Sequence, residues 1–297
     1  MLKEGPPLDP GLAFVDPMLA TLVDKPPAGD GWSHEIKYDG YRSQIAMSGG
    51  EVRVYTRKGY DWTKQYRQIG QAAVDLIRRD ARIDGEIIVQ DASGRPDFHA
   101  LRSSITSAEH RLVFMAFDLI ALERRDLRRR PCGERRALLA EILAGVRPFD
   151  PVQLSEDFTG SPAEFLAAAE AMGLEGIVSK RSASSYQSGR SRDWLKVKTF
   201  TVSEFVVIGY ERPGNAPAAL LVASEEAGGF AYAGRVLNTL GGRARDAFWA
   251  KLEARHATSP AVHGIKRKGV QWVRPEISVK VRHLRGEESL RHATMVG

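Results

Sequence analysis

The sequence predicts an α+β protein of two domains, in which strands with interspersed helices are followed by a small β-barrel. The length of 297 residues fits about two domains. A hydrophobic content of 43% is enough to form a real core. Strand-like segments of alternating polarity and a few amphipathic helices occur along the chain. We place the domains at residues 1–200 and 201–297.

The composition excludes several classes of protein. A net charge of +6 and a pI near 9.4 favour a polyanionic partner. The single cysteine, Cys132, excludes an internal disulfide framework and a thiolate zinc site, and it fits a reducing compartment. No stretch reaches the roughly 18 apolar residues of a membrane span, and the N-terminus lacks the apolar run of a signal peptide. We therefore expect a cytoplasmic protein that does not bind membranes.

The first domain begins with a Pro- and Gly-rich lead-in over residues 1–30, without regular structure. Strands follow over 33–57, with a hairpin turn at Ser48-Gly49-Gly50. Hydrophobic periodicity then predicts, in order, a helix over about 63–79, a strand over 86–89, a strand over 111–122 and a helix over 133–144.

The best-delimited helix covers residues 161–172. Ser161 is its predicted N-cap, Pro162 takes the first helical position, Glu164 completes a capping box and Gly173 ends the helix. The segment that follows this helix directly is therefore expected to be a strand.

Two lysines share one face of a later predicted strand. Segment 194–198 is short and alternates in polarity, so Lys196 and Lys198 lie on one face and the apolar residues on the other. After residue 200 a β-rich stretch begins at 205–210, with turns at 213–215 and 228–229 and one helix over about 243–255. Short strands and one helix fit a small barrel such as the OB-fold.

Lys37 belongs to the run Lys37-Tyr38-Asp39-Gly40-Tyr41-Arg42, a KxDGxR pattern. Alternation along a strand places Lys37 on the face opposite its apolar and aromatic neighbours. Gly40 removes the side-chain barrier to a ligand in the turn that follows. An amine attacks phosphorus only when it is unprotonated, so burial and neighbouring cations must favour the neutral amine. The pattern indicates a nucleophilic lysine, with Arg42 as a cation for a phosphate.

Six runs, in this order, resemble the motifs of the covalent nucleotidyltransferase superfamily, and within it the ATP-dependent DNA ligases. The runs are 37–42, 55–59, 84–86, 114–118, 175–180 and 194–198. The runs 17–22 and 290–294 are similar to the ligase modules of bacterial non-homologous end-joining ligases. The resemblance covers nearly the whole chain. It implies a nucleotidyltransferase domain with ATP-grasp-like antiparallel sheets, followed by an OB-fold domain.

The resemblance implies that the chain seals nicks in DNA in three steps. Lys37 attacks the α-phosphate of ATP, expels pyrophosphate and holds AMP as a phosphoramidate. AMP then passes to the 5′-phosphate of nicked DNA, and the neighbouring 3′-hydroxyl displaces AMP. The implied cofactors are ATP and Mg²⁺ (or Mn²⁺), and the implied partners are nicked double-stranded DNA and end-joining repair proteins. We expect a monomer in the bacterial cytosol or nucleoid.

The resemblance also implies roles for individual residues. Around the catalytic Lys37, the expected nucleotide-binding residues are Glu35, Ile36, Arg42, Arg57, Glu86, Phe117, Ile177, Lys196 and Lys198. Phe117 is expected to stack on adenine, and Ile177 to contact the other face of the ring. Glu86 and Glu175 are the expected metal ligands, with the ribose hydroxyls as an alternative partner of Glu86. Glu35 contacts adenine through its backbone or pairs elsewhere through its side chain.

Each of these residues also has a structural interpretation that requires no function. Phe117 lies in an apolar strand and is a core residue when considered alone. Lys196 and Lys198 suit an edge strand, where lysines discourage aggregation. The joint order of the six runs favours the functional interpretation. Two alternatives remain: an mRNA capping-type guanylyltransferase or RNA ligase, and a catalytically silent nucleic-acid-binding protein. Charging with GTP would indicate a capping enzyme.

Two basic segments predict contacts with DNA phosphates. Residues 124–136 contain seven arginines and two acidic residues, with a solvated loop as the alternative. Residues 263–297 contain eight Lys or Arg and three Glu. Such charge neutralises phosphates without reading bases, so we expect DNA affinity to fall steeply as salt rises. The resemblance also implies a final motif, with an arginine and a lysine flanking an aspartate, that would begin near Met295. Without that motif, slow self-adenylylation is expected.

Overall fold

The structure is a computed structural model that describes residues 12–92, 94–123, 125–212, 218–226, 228–265, 267, 269–285, 289–290 and 293–296. It contains two compact units, Met1–Lys198 and Thr199–Gly297, which divide next to the boundary expected near residue 200. Within the described ranges, no helix is long and apolar enough to cross a membrane. The turn expected at 213–215, residues 1–11 of the lead-in, and residues 291–292 lie outside the described residues.

The first unit is built from short strands with helices between them. Its strands are β1 (Met18–Leu22), β2 (Trp32–Ile36), β3 (Tyr41–Ser48), β4 (Glu51–Thr56), β5 (Ala81–Val89), β6 (Leu112–Leu122), β7 (Arg125–Asp126), β8 (Val152–Leu154), β9 (Asp157–Phe158), β10 (Gly176–Arg181) and β11 (Gly189–Lys198). Its helices are α1 (Arg67–Ile77), α2 (Phe98–Ser107), α3 (Cys132–Ile142) and α4 (Pro162–Ala171).

These strands form two sheets. One has the order β1-β11-β10-β2-β9, and the other has the order β4-β3-β5-β6-β7, with β8 beside β6. The pairs β1–β11 and β6–β8 are parallel. The remaining pairs in the two sheets are antiparallel. The structure therefore confirms the predicted α+β class with antiparallel sheets and flanking helices.

The larger sheet packs against α1, whose Ile69, Ala73 and Ile77 are buried at helical spacing. Gly85 lies in the middle of β5, where a Cβ atom would come within 2.3 Å of the Phe114 ring. This position therefore has to be glycine, because the Phe114 ring occupies the space that a side chain would need.

Helix α4 has the predicted capping. The Ser161 side chain accepts a hydrogen bond from the backbone N–H of Glu164 at 3.4 Å, and Pro162 is at the start of the helix. Gly173 adopts a left-handed φ of 72° after the helix ends. Strand β10 follows, so the strand expected after this helix is confirmed.

Helix α2 was not predicted from the sequence. Its N-cap, Asp97, accepts a hydrogen bond from the N–H of Ala100 at 2.9 Å. The helix has one fully buried apolar residue, Leu101, and several serines and threonines, so its hydrophobic periodicity is weak. Helix α1 begins at Arg67 rather than near residue 63, because the preceding residues form a turn that ends at Tyr66.

The second unit is a barrel with one helix in its described part. Its elements are β12 (Phe200–Glu211), β13 (Ala219–Glu226), β14 (Gly229–Leu237), α5 (Gly242–Glu253), β15 (His256–Ala257), β16 (Gln271–Val273), β17 (Ser278–Leu284) and β18 (Thr294–Met295). The order β13-β14-β18-β17-β12 closes on itself because β12 also pairs with β13. A closed five-stranded barrel fits the predicted OB-fold.

Candidate active site

A cavity of about 190 Å³ lies in the first unit, between residues of the two sheets. It is lined by Leu19, Ala20, Glu35, Ile36, Lys37, Tyr38, Arg42, Arg57, Glu86, Phe117, Val178, Lys180, Arg190, Trp194 and Lys196. Eight of the ten residues expected to bind nucleotide or to catalyse therefore line one cavity. The other two, Ile177 and Lys198, lie outside this lining.

Lys37 follows β2 and is held against β10. Its backbone N–H donates to the carbonyl of Gly176 at 2.9 Å. Its Nζ donates to the carboxylate of Glu175, the residue directly before β10. The Lys37 side chain keeps 19% of its exposure, whereas that of Glu175 keeps 5%. The amine is therefore reachable from the cavity, and its carboxylate partner is buried.

Glu175 joins two lysines. Its Oε1 lies 3.0 Å from Lys198 Nζ, while its Oε2 accepts from Lys37. The register explains the contact, because Lys198 pairs across the sheet with Gly176, the next residue after Glu175. Lys198 thus belongs to the site through Glu175, although it does not line the cavity.

Lys196 lines the cavity on the same face of β11 as Lys198. It pairs across the sheet with Val178 of β10, which also lines the cavity. Burial lowers the pKa of Lys196, and the charges of Lys37 and Lys198 lower it further. The three lysines therefore concentrate positive charge where a polyphosphate could bind.

Glu86 faces the same cavity from β5. Burial raises its pKa to about 7, against the opposing effect of the cations Arg42 and Lys37. With Glu175, it offers two carboxylates, which is the number that Mg²⁺ commonly takes when phosphate oxygens and water complete its coordination. Within the described residues, no group of three or more His, Cys, Asp or Glu could hold a metal by itself.

Arg42 is paired inside the protein. Its Nε and Nη2 each donate to Asp84 at 2.7 Å, and Nη2 also donates to the carbonyl of Met18 at 3.1 Å. Its guanidinium carbon lies 4.5 Å from the centroid of the Phe117 ring. The sequence suggested a phosphate contact for Arg42, and the structure commits most of its donors to Asp84 and Met18.

Phe117 lines the cavity and has 8% exposure. Lys180 Nζ lies 4.5 Å from its ring centroid, and Trp194 meets the ring edge-on at 6.1 Å. Lys180 Nζ also donates to the Phe117 carbonyl at 2.9 Å. The Phe117 ring is therefore held by two cations and an aromatic neighbour.

The Glu35 side chain is buried in an ion-pair network. Its Oε1 lies 2.6 Å from Lys180 Nζ and accepts from Arg136 at 2.8 Å. Its Oε2 accepts from the Ser155 hydroxyl at 3.2 Å. Of the two options for Glu35, the structure therefore shows that the side chain pairs within the protein.

Ile177 lies on the face of β10 opposite the cavity. It is fully buried against Ala169, Leu174 and Val197. Val178, one residue later, lines the cavity instead. In this structure Ile177 cannot contact the adenine ring as expected, because neighbouring residues of a strand point to opposite faces. The face of Val178 could have been inferred from Lys196. The two residues are cross-strand partners, so they lie on the same face of the sheet.

The basic segment at 124–136 is largely paired within the protein. Arg135 is fully buried and forms a two-bond pair with Asp118 at 2.7 and 2.8 Å. Arg136 supports Glu35, and Arg128 pairs with Asp126 at 2.8 Å. Arg135 and Arg136 therefore support the first unit from within rather than forming a surface for DNA, whereas Arg125 and Arg129 are exposed; Arg124 lies outside the described residues.

Several residues of the site escaped prediction from the sequence. Arg190, Trp194 and Lys180 line the cavity together with Val178. Arg190 is exposed, and its Nη1 donates to the carbonyl of Ala20 at 3.0 Å. Arg57, which was predicted, is exposed as well. The two arginines leave positive charge in contact with solvent next to the lysines.

Two protein-family models match this chain. The one described as "ATP dependent DNA ligase domain" matches residues 17–198, and the one described as "ATP dependent DNA ligase C terminal region" matches residues 214–297. Between them they cover both structural units.

Similar proteins are found among end-joining ligases. The multifunctional non-homologous end joining protein LigD of Pseudomonas aeruginosa is 36% identical over 274 residues, which is 89% of this chain and 32% of that protein. The end joining DNA repair protein LigD of Mycobacterium tuberculosis H37Rv is 34% identical over 262 residues, or 85% of this chain and 34% of the relative. The chain thus spans about a third of the length of these relatives.

Solved structures show the same fold. The crystal structure of the ligase domain of M. tuberculosis LigD has a TM-score of 0.62 and 30% identity, and the match covers 98% of this chain and 95% of that one. A mycobacterial DNA ligase D complexed with ATP and MES has a TM-score of 0.61 and 30% identity, over 97% and 95% of the two chains.

Proposed function

The chain belongs to the ATP-dependent DNA ligases, and we propose that it seals nicked duplex DNA through AMP carried on Lys37. Membership of this family makes the chain an enzyme that forms phosphodiester bonds at the expense of ATP. The observation that carries the proposal is the contact of Lys37 with the buried Glu175, in the cavity that Lys196 and Phe117 also line.

The cavity offers separate places for the two ends of ATP. Phe117 and Val178 provide apolar surface for adenine, which supports the expected stacking of the base on Phe117. Lys196 and Arg57 provide positive charge for the phosphates. Such a division fits the alignment that phosphoryl transfer requires, because this reaction depends mainly on positioning and on charge stabilisation.

In the first step, a bond forms between Lys37 Nζ and the α-phosphorus while the bond from that phosphorus to the β-bridging oxygen breaks. Pyrophosphate leaves, and the nitrogen gives up its proton. The reaction needs an unprotonated amine, so the contact with the Glu175 carboxylate has to be released in the reacting complex. Lys196 and Lys198 place further positive charge beside the reacting atoms, which suits the negative charge of the phosphates.

Glu86 and Glu175 are the residues that would hold Mg²⁺. Glu86 lines the cavity and Glu175 adjoins it through its contact with Lys37, and the bound ion would supply positive charge against the phosphate oxygens. Within the protein itself, the two carboxylates have different environments. Glu175 holds Lys37 and Lys198, whereas burial keeps the pKa of Glu86 raised although Arg42 and Lys37 oppose the shift.

We propose that Arg57 and Arg190 contribute to the binding of the 5′-phosphate of the nick. Both line the cavity and are exposed, which places fixed positive charge where a second phosphate has to approach the adenylate. Phosphate contacts of this kind do not read base sequence, which suits an enzyme for nicks. We expect the affinity for nicked duplex to fall steeply between low and physiological salt.

We further propose that the nicks come from bacterial end joining. The relatives with 34–36% identity are named for non-homologous end joining, which supports that role for this chain. End-joining proteins are then its partners, in the bacterial cytosol or nucleoid, and we expect the chain to act on DNA as a monomer.

The decisive experiment is a single incubation. Protein, Mg²⁺ and ATP labelled at the α-phosphate are mixed, and the denatured protein is examined for label. Lys37→Ala should take up none, whereas Lys64→Ala, a change at an exposed lysine in the same unit, should label like the wild type. GTP labelled in the same way should give no labelled protein. A labelled Lys37→Ala, or an unlabelled wild type, would contradict the proposal.

The labelled protein is then given a nicked duplex. Loss of label from the protein, accompanied by a joined strand, supports transfer of AMP to DNA. If the wild type labels but never joins a nicked duplex, the assignment to DNA sealing is wrong, and a nicked RNA duplex becomes the next substrate to try.

A further inference from the structure

Tyr186 lies between β10 and β11 and is not among the residues that line the cavity. Its side chain is 4% exposed. Its hydroxyl donates to Asp84 Oδ2 at 2.6 Å and accepts from the backbone N–H of Met18 at 3.0 Å. Burial raises the pKa of Tyr186 well above its usual value, so the phenol keeps the proton that it donates. Its own backbone N–H is anchored on the carbonyl of Arg128 at 2.7 Å.

Asp84 connects Tyr186 to the cavity. It is 1% exposed and accepts three hydrogen bonds: two from Arg42 at 2.7 Å and one from Tyr186. The two donors that orient this carboxylate come from distant parts of the sequence. Arg42 belongs to β3, and Tyr186 belongs to the segment before β11. A buried carboxylate held in this way has little freedom to turn.

Arg42 transmits this orientation to an aromatic ring. Its guanidinium carbon lies 4.5 Å from the Phe117 centroid, which is within the range of a cation–π contact. The two hydrogen bonds to Asp84 fix the orientation of the Arg42 guanidinium plane. The Phe117 ring therefore packs against a group of fixed position. The connection thus runs from Tyr186 through Asp84 and Arg42 to Phe117.

We propose that Tyr186 is a positioning residue for nucleotide binding, which sets the ring of Phe117 through Asp84 and Arg42. This inference rests on the proposed function, since it assigns the adenine end of the cavity to Phe117. Without the Tyr186 hydroxyl, Asp84 loses one of its three donors and Arg42 can turn with it. The base then meets a ring with a less defined position, whereas the lysines that face the phosphates keep their contacts.

The test replaces single hydroxyl groups. Tyr186→Phe removes a hydroxyl that has two partners and leaves the ring against Trp194, 5.9 Å away and edge-on. Tyr66→Phe is the matched control, because the Tyr66 hydroxyl is buried in the same unit and has no hydrogen-bond partner among the described residues. Both variants are checked by thermal unfolding before use.

The readout separates the two ends of ATP. Charging with labelled ATP is measured as a function of ATP, and then with adenosine or inorganic tripolyphosphate as competitors. For Tyr186→Phe we expect the KM for ATP and the inhibition constant of adenosine to rise together by about tenfold, as for loss of a hydrogen bond to a buried charged group. The inhibition constant of tripolyphosphate and the kcat should change less than twofold. Tyr66→Phe should match the wild type throughout.

Two results would overturn the proposal. One is an unchanged inhibition constant for adenosine with folded Tyr186→Phe. The other is equal weakening of adenosine and tripolyphosphate, which a merely structural role would produce. If Tyr186→Phe does not fold, Asp84→Asn is measured in its place, because it breaks the same connection at its centre.

Failure of the proposed function would look different. In that case the wild type takes up no label, and calorimetric titration of adenosine into the wild type and Tyr186→Phe decides the inference by itself. Equal adenosine affinity of the two proteins would then refute a positioning role.

Discussion

β10, β11 and the segment formed by β2 and Lys37 present two faces of different chemistry, and Ile36 both lines the cavity and packs on the apolar cluster. One face carries Glu35, Lys37, Val178 and Lys196 and lines the cavity. The opposite face carries apolar side chains, including Ile177, and is covered by residues of α4. Successive side chains of a strand point to opposite faces, so the same strands supply both the site and the core.

This contrast shows why an apolar residue inside a motif has no fixed role. Ile177 and Val178 are adjacent and chemically similar, and both sit in the run that resembles a ligase motif. Only one of them lines the cavity. The face on which a residue lies, rather than its type, decides whether it binds a ligand or fills the core.

The largest effect is expected from breaking the charged face at Glu175. Glu175→Gln keeps the shape of the side chain but removes one of the two carboxylates proposed to hold Mg²⁺ against the phosphates, and it takes away the anion that positions Lys37 and Lys198. We expect charging with AMP to slow by about 100-fold or more, equivalent to about 2.7 kcal/mol. Glu164→Gln, at an exposed position of α4, is the control, and a similar charging rate in both variants would contradict this role for Glu175.

A pair of alanine substitutions compares the two faces directly. Ile177→Ala should lower the free energy of unfolding by about 3 kcal/mol, since it opens a cavity among fully buried neighbours, and should leave the KM for ATP unchanged. Val178→Ala should raise that KM several-fold with a loss of stability below about 1 kcal/mol. Denaturant unfolding and charging kinetics measure the two quantities. The reverse pattern would mean that the nucleotide contacts the Ile177 face.

Glu86, on the cavity side, makes the free energy of unfolding depend on pH. Its pKa is about 7 in the folded protein, against an ordinary value of 4.5. Between these values the folded state holds the additional proton, so stability falls as pH rises from about 4.5 through about 7. Glu86→Gln should remove this fall and be more stable than the wild type by about 1–2 kcal/mol at pH 8. Unfolding of the metal-free proteins at pH 5 and pH 8 measures the difference, and parallel curves would refute it.

The smallest effect on stability is expected at Glu35, because its carboxylate has several partners and the loss of one leaves the others in place. Ser155→Ala removes one hydrogen bond to Glu35 at 3.2 Å and leaves the contacts of Glu35 with Lys180 and Arg136 in place. The free energy of unfolding should fall by about 0.5–1 kcal/mol. Chemical denaturation measures this, with Ser107→Ala, an exposed hydroxyl, as the control. A loss of several kcal/mol would show that the Glu35 network is not redundant.

Much of the site followed from patterns of a few residues. Lys37 and Arg42 of the KxDGxR run, Glu86 of β5 and Lys196 of β11 line the cavity, and alternation assigned the face of Lys196 as soon as its strand was recognised. The capping of α4 also followed from the sequence, since Ser161 and Glu164 interact within one helical turn. Helix α2 did not, because its apolar residues are too few to produce a helical period.

The roles of the arginines were beyond the reach of such patterns. A run of seven arginines predicts positive charge, and nothing in the run shows that Arg135 meets Asp118 or that Arg136 meets Glu35. Burial of an arginine depends on the position of a carboxylate elsewhere in the fold. The same holds for Arg42, whose partner Asp84 is 42 residues away.

The sequence by itself predicted most of the strands and helices, though not α2 or β1, and it singled out Lys37 as the expected nucleophile, since these depend on neighbours within a few residues. Only the tertiary structure decided which carboxylate holds that lysine, because Lys37 and Glu175 are 138 residues apart and meet through the register of β2 and β10. It also decided that Val178 rather than Ile177 faces the cavity, and that Arg42 is held against Phe117. Strand register is a cooperative result of the whole sheet, and a shift of one residue would exchange the two faces.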